Sequence, residues 1–158
     1  MIVADRIAVM DSGRLMQVAP PAEIYERPNS RWVADFIGEV TIIEGRLAAD
    51  ATVESAVGRI RVADVGVAAP GGTVWLALRP EKISMTSDRP TDAVNAVPGT
   101  VCEIGYRGDM SVYKVRLADR SIMKVALANT SRGGTARFVI DDVVWLSWLP
   151  DVGVVLTG

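Results

Sequence analysis

From residue 40 to its end the chain carries no helical period; its apolar residues fall in short runs broken by Gly, Pro, Asp and Asn. That is the pattern of strands joined by tight turns. The runs are Val40–Leu47, Thr52–Val57, Arg59–Ala63, Thr73–Arg79, Gly99–Tyr106, Met110–Leu117, Ser121–Leu127, Ala136–Ile140, Val143–Leu149 and Val152–Leu156. In the third, Ile60 and Val62 alternate with Arg59 and Arg61, which fits a half-buried strand. Thr73–Arg79 sets Val74, Leu76 and Leu78 against Trp75, Ala77 and Arg79; both faces are mostly apolar, which predicts a central strand. Pro70-Gly71-Gly72 is a break, residues 87–98 a polar connection bounded by prolines, and Asn129–Thr135 a loose loop. Many short strands at close spacing predict a mainly β fold, a small barrel or a sandwich, and spacing does not choose between those two.

The first 39 residues read differently. Residues 6–10 and 14–19 are apolar runs around Asp11-Ser12-Gly13, a β-hairpin signal with Gly13 supplying the positive φ of the turn. Pro21 can open a helix over Ala22–Arg27, since its missing N–H costs nothing there, and Pro28 ends it. Asn29 or Ser30 can cap a second helix from Arg31 to Ile37, with Gly38 as a left-handed terminator. Trp32, Val33, Phe36 and Ile37 share one face, the pattern of a helix lying on a core.

A chain of 158 residues can bury a core without disulfide staples. The single cysteine, Cys102, cannot bridge internally and reads as a small buried hydrophobe in a strand of a protein from a reducing compartment. There is no histidine, which excludes imidazole acid–base chemistry and His metal sites. Acidic residues number 19 and basic ones 17, a formal net charge of −2, and no Lys/Arg cluster marks a face for a polyanion. Asp5 and Arg6 interrupt the N-terminus too early for a signal peptide. No apolar run approaches the ~20 residues of a membrane helix. A cytoplasmic protein without direct membrane insertion is expected.

Three ordered stretches carry a family resemblance. Ala4–Gln17 (ADRIAVMDSGRLMQ) with Pro21–Pro28 (PAEIYERP) resembles the closing hairpin and following helix of ABC-transporter ATPase domains, just past the switch-histidine loop. Val33–Gly38 (VADFIG) resembles the helix that joins that domain to the C-terminal domain in sugar, iron and polyamine importers. Leu76–Ile83 (LALRPEKI) is similar to the Arg-Pro-Glu motif of their C-terminal TOBE domain, an OB-like β-barrel. Tyr106–Tyr113 (YRGDMSVY) and Val154–Thr157 (VVLT) look most like the putrescine and spermidine type. The resemblance implies a remnant of the ATPase domain over residues 1–28, a connecting helix over 29–39 and a TOBE-like barrel over 40–158. It also implies a regulatory and dimerising role: the barrels of two ATPase subunits lie against each other, with permease subunits as partners at the inner face of the cell membrane. A full-length parent would use ATP and magnesium.

The departures bear on activity. The phosphate loop G-x-x-x-x-G-K-[ST], the Leu-Ser-Gly-Gly-Gln signature and an apolar run ending in Asp-Glu are all missing, and the first of these is what cradles phosphates and holds magnesium. The chain is therefore expected to begin after the catalytic machinery, as a non-catalytic piece with no cofactor, metal or catalytic residue of its own. Residues 6–27 should then expose a strand edge and an apolar face, and be mobile, repacked on the barrel or used in self-association.

Candidate interface or regulatory residues are Arg79, Glu81, Tyr106, Arg107, Asp109 and Trp148. Against an interface role for Arg79 and Glu81 stands a plainer reading, a surface pair at a strand end beside Pro80. Arg107-Gly108-Asp109 reads as a hairpin turn, with Gly108 for its backbone freedom. Trp145 and Trp148 lie on opposite faces of a strand, one for the core and one for the surface. Asp141-Asp142 reads as a turn before Val143. Related barrels in oxyanion importers bind their ion, so a small-ligand module for a polyamine or an oxyanion is the alternative function. A polyamine site would need converging carboxylates; Glu44, Glu54, Glu103 and Asp109 are available but scattered. A nucleic-acid groove would need basic and stacking residues that this acidic chain, with four Trp, three Tyr and two Phe, does not concentrate.

Overall fold

Gly13 sits at φ 78° in the first turn, a conformation that costs glycine little. Around it a computed structural model, which describes residues 3–129 and 137–158, forms the antiparallel hairpin β1 (Ile7–Asp11) and β2 (Arg14–Ala19). Helix α1 (Pro21–Glu26) follows with proline in its first turn, and α2 (Arg31–Ile37) starts at Ser30, whose hydroxyl accepts from the Val33 N–H. Val9, Ala19, Ile24 and Val33 close a small interior of their own, with Ile7, Met16 and Ile37 at its margin. The hairpin thus packs on the two helices rather than on the barrel, and leaves Met10, Leu15 and Val18 exposed.

The rest of the described chain is β. One antiparallel sheet orders β12 (Val154–Leu156), β6 (Thr73–Leu78), β3 (Thr41–Leu47), β4 (Thr52–Ser55) and β5 (Gly58–Arg61). The other orders β10 (Ile122–Ala128), β9 (Met110–Arg116), β8 (Asn95–Arg107), β11 (Val143–Trp148) and β7 (Ser84–Thr86). Their inner faces share one core, in which Leu47, Ile60, Leu76, Leu78, Met123 and Leu146 are fully enclosed. Alternation along β6 places Val74, Leu76 and Leu78 inward and Ala77 outward under α2, and β6 is central as expected. At Gly45 a Cβ would stand 2.5 Å from Val53 Cγ1 and 2.7 Å from the Glu54 carbonyl oxygen; only glycine lets β3 and β4 approach so closely.

Side chains join the two sheets where no ladder does. Asn95, at 2% exposure, accepts from the Arg61 N–H and donates to the Arg61 carbonyl, both at 2.8 Å. It offers β5 the two bonds a strand would. On the opposite flank the Lys124 N–H donates to Thr41 Oγ1 at 3.2 Å, tying β10 to β3. Two sheets linked at both flanks make the OB-like barrel.

Five expectations change. Gly38 has φ 173°, extended backbone rather than a left-handed terminator. The buried side of α2 is Val33 and Ala34, while Trp32 and Phe36 stack on each other at the surface, 63% exposed at Phe36. Residues 95–98 belong to β8, and β7 is an additional strand. Pro98 fits because β9 pairs with β8 only from Thr100 onward, so its missing N–H faces an open flank. Arg137–Ile140 is not a strand: Asp142 Oδ2 accepts from the Val139 N–H at 2.8 Å and Asp141 turns at φ 73°. Ala136 and most of the expected Asn129–Thr135 loop lie outside the described residues. Cys102 is half-buried at a β-bulge, its thiol 3.2 Å from the Lys114 carbonyl. Among the described residues no helix is long and apolar enough to cross a membrane.

Candidate functional site

Arg79 follows β6 on the outward face it shares with Ala77, and that parity sends its guanidinium under the helices. It is 6% exposed. Nη1 donates to the carbonyls of Ala34 and Gly38 at 3.0 Å and of Glu39 at 3.1 Å; Nη2 reaches the Tyr25 carbonyl at 3.4 Å. The guanidinium carbon lies 4.4 Å from the centre of the Tyr25 ring. A helix leaves its last carbonyls without partners, and here a cation supplies donors at the negative end of α2. That also explains Gly38: the Ala34 carbonyl, which a left-handed turn at Gly38 would satisfy with its N–H, is already taken by Arg79. The reading of Arg79 and Glu81 as a surface pair is therefore corrected. Arg79 is enclosed, and its partners are backbone oxygens and an aromatic face.

Pro80–Lys82 form a single 3-10 turn that points the next two charges at α1. The Tyr25 hydroxyl donates to the Glu81 carboxylate, and Lys82 Nζ stands 3.4 Å from Glu26. Burial, then the hydrogen bond to the Glu81 carboxylate, pushes the Tyr25 hydroxyl up from 10 to about 12. Arg107 Nη2 meets Glu39 Oε1 at 2.7 Å, an exposed pair of small energetic value.

These residues rim a cleft of about 410 Å³ between the helices and the outer face of β9 and β10. Tyr25, Glu39, Glu81, Arg107 and Asp109 give it polar walls, and Met110 and Val112 an apolar floor. Of the six sequence candidates, Glu81, Arg107 and Asp109 come together in this cleft, with Arg79 packed on the Tyr25 ring beside it. Arg107-Gly108-Asp109 is the β8–β9 turn, Gly108 at φ 72°. Asn129 closes that turn by donating to the Gly108 carbonyl and to the Asp109 carbonyl. Tyr106 is 61% exposed on β8 and does not line the cleft; Trp148, at 5%, belongs to the barrel core. Trp145 faces outward under Arg89. The other carboxylates weighed for a polyamine are engaged elsewhere: Glu44 with Trp75, Glu54 with Arg59, Glu103 with Lys114. Tyr25 and Glu39 were not foreseen as site residues. Their partners lie far along the chain, 56 positions for Tyr25 and Glu81, and no periodicity carries that information.

Known proteins resemble this chain in sequence and in fold. Residues 76–156 match the model of the TOBE domain. The chain is 38% identical over 163 residues to the putrescine transport ATP-binding protein PotG of Escherichia coli (strain K12), covering 99% of this chain and 43% of that protein. It is 37% identical over 164 residues to the spermidine/putrescine import ATP-binding protein PotA of Pseudomonas aeruginosa (strain UCBPP-PA14), covering 96% and 43%. With the PotA protein of Thermobifida fusca (strain YX) it shares 36% over 169 residues, covering 99% and 41%. The matches fall in the C-terminal part of these relatives, and the chain spans less than half their length. Among solved structures, the cytoplasmic molybdate-binding protein ModG superposes with a TM-score of 0.62 at 11% identity, over 73% of this chain and 94% of that one; this likeness concerns the fold alone. With a match from within β6 to the end of β12, about half of the sequence, and a closed β architecture to carry it, the chain belongs to the TOBE domain family.

Proposed function

We propose that this chain is the regulatory and dimer-stabilising C-terminal part of the ATP-binding subunit of a polyamine importer. The observation that carries the reading is the near full-length match, hairpin and helices included, to putrescine and spermidine import ATP-binding proteins. In such a protein ATP and magnesium would sit in a preceding domain, and permease subunits would hold the complex at the inner face of the membrane. This polypeptide would hydrolyse nothing, because a phosphate loop is missing from its sequence and phosphoryl transfer depends on positioned charge around the phosphates and metal. Sedimentation of the purified chain across a concentration series is expected to reveal self-association. A strict monomer at high concentration overturns the dimerising role, and ATP turnover by the same material overturns the non-catalytic one.

The cleft favours a second reading, a ligand site. Glu81 and Asp109 beside an apolar floor and an aromatic wall, with Arg107 on the rim neutralised by Glu39, suit a cationic ligand with an alkyl middle rather than the oxyanion named for the fold neighbour. Calorimetry with putrescine, spermidine and molybdate separates these: heat from the amines alone, lost in Glu81→Gln, supports it, and silence from both amines removes it.

A further inference from the structure

We infer that the Arg79–Lys82 turn is a latch that holds α1, and through it the hairpin, in place beside the barrel, and that α1 and the hairpin open together as one unit when it is released, while α2 stays on the barrel. Three observations carry this, and none depends on the importer reading. First, the hairpin–helix layer has its own interior, and no member of it belongs to the barrel core. Second, the apolar contact between layer and barrel centres on Ala34, Ala77 and Leu156, with Val40, Ile42, Trp75 and Val154 packed against them; it involves α2 but neither α1 nor the hairpin. Adjacent residues of α2, Val33 and Ala34, are each fully buried, one on the layer's side and one on the barrel's. A helix buried on two sides by different bodies keeps its barrel contact when the other body opens. Third, among the described residues, the hydrogen bonds, ion pair and cation–π contact between α1 and the barrel all come from Arg79, Glu81 and Lys82. One guanidinium takes a carbonyl from α1 and three from α2 and the residues after it, so it fixes the angle between them.

The experiment is amide hydrogen exchange on this chain. Arg79→Met should speed exchange at Ile24, Arg27 and the β1–β2 ladder by about tenfold or more, while the β8–β9 ladder keeps its rates. Arg79→Lys should restore little, since an ammonium cannot reproduce the planar fork of donors. A purely structural Arg79 would speed both regions together, and that result overturns the proposal, as does unchanged exchange in both. Should Arg79→Met fail to fold, Tyr25→Phe combined with Lys82→Met decides by the same comparison of the two regions.

Discussion

Arg79 is the residue whose loss the fold should feel most. Truncation to alanine strands buried carbonyls at the end of α2, and hydrogen bonds to a charged donor contribute more than neutral ones; the expected cost is about 3 kcal/mol by denaturant titration. Gly38→Ala, next to it, should cost under ~0.5 kcal/mol, because its Cβ would meet Arg79 Nη1 at an ordinary 3.6 Å and the backbone there is extended. Gly45→Ala is the contrast, about 1–3 kcal/mol from forced displacement of β4. Tyr25 gives a pH signature. Below pH 10 folded and unfolded chains both hold the phenolic proton and its contribution is constant. As pH rises from 10 towards 12 the unfolded chain ionises first, so stability should fall across that window. Wild type should lose denaturation midpoint faster there than Tyr25→Phe; parallel curves would contradict this. None of these partnerships was visible in the sequence, where Arg79 reads as an ordinary strand-end charge. The motif was legible, but the carbonyls it serves lie 40 to 54 positions earlier in the chain, and only the fold brings them near.

Elements were more readable than contacts. The hairpin, both helices and most strands follow from local chemistry: a glycine able to take positive φ, a proline at a helix start, a serine cap, alternation of apolar residues. Ser30→Ala should therefore lower stability by about 1 kcal/mol, with Ser30→Asp retaining most of it, as helix caps do; equal losses in both would show that the cap contributes little. The strand pieces that escaped are those where pattern and environment part company. Residues 95–98 contain a proline and sit beside a polar stretch, yet the strand has an open flank there. Ser84–Thr86 is only three residues long, too short to show a period, and becomes a strand because β11 lies alongside. On α2 the apolar stripe pointed to Trp32 and Phe36, but in the folded chain the small Ala34 lets the helix lie close to β6, and the two large rings stack outside.

For the molecule as a whole, closure on one flank draws on the Asn95 side chain and one backbone bond, from the Ala63 N–H to the Pro150 carbonyl. Asn95→Ala should cost roughly 2 kcal/mol, through two lost, partly buried bonds to the Arg61 backbone, and should loosen β5 before other strands. Asn95→Asp, which cannot donate, should recover only part of that; exchange rates at β5 unchanged in both would argue against the closure role. Barrel rather than sandwich could not be read from strand spacing, because the difference lies in such cross-links. The two interiors have a practical consequence of another kind. Ile24 and Leu146 lie in clusters with no member in common, so shaving a methylene from each perturbs disjoint sets of neighbours. Such free-energy changes should sum, and a combinatorial library spanning both interiors would factor into two small ones, each searchable without regard to the other.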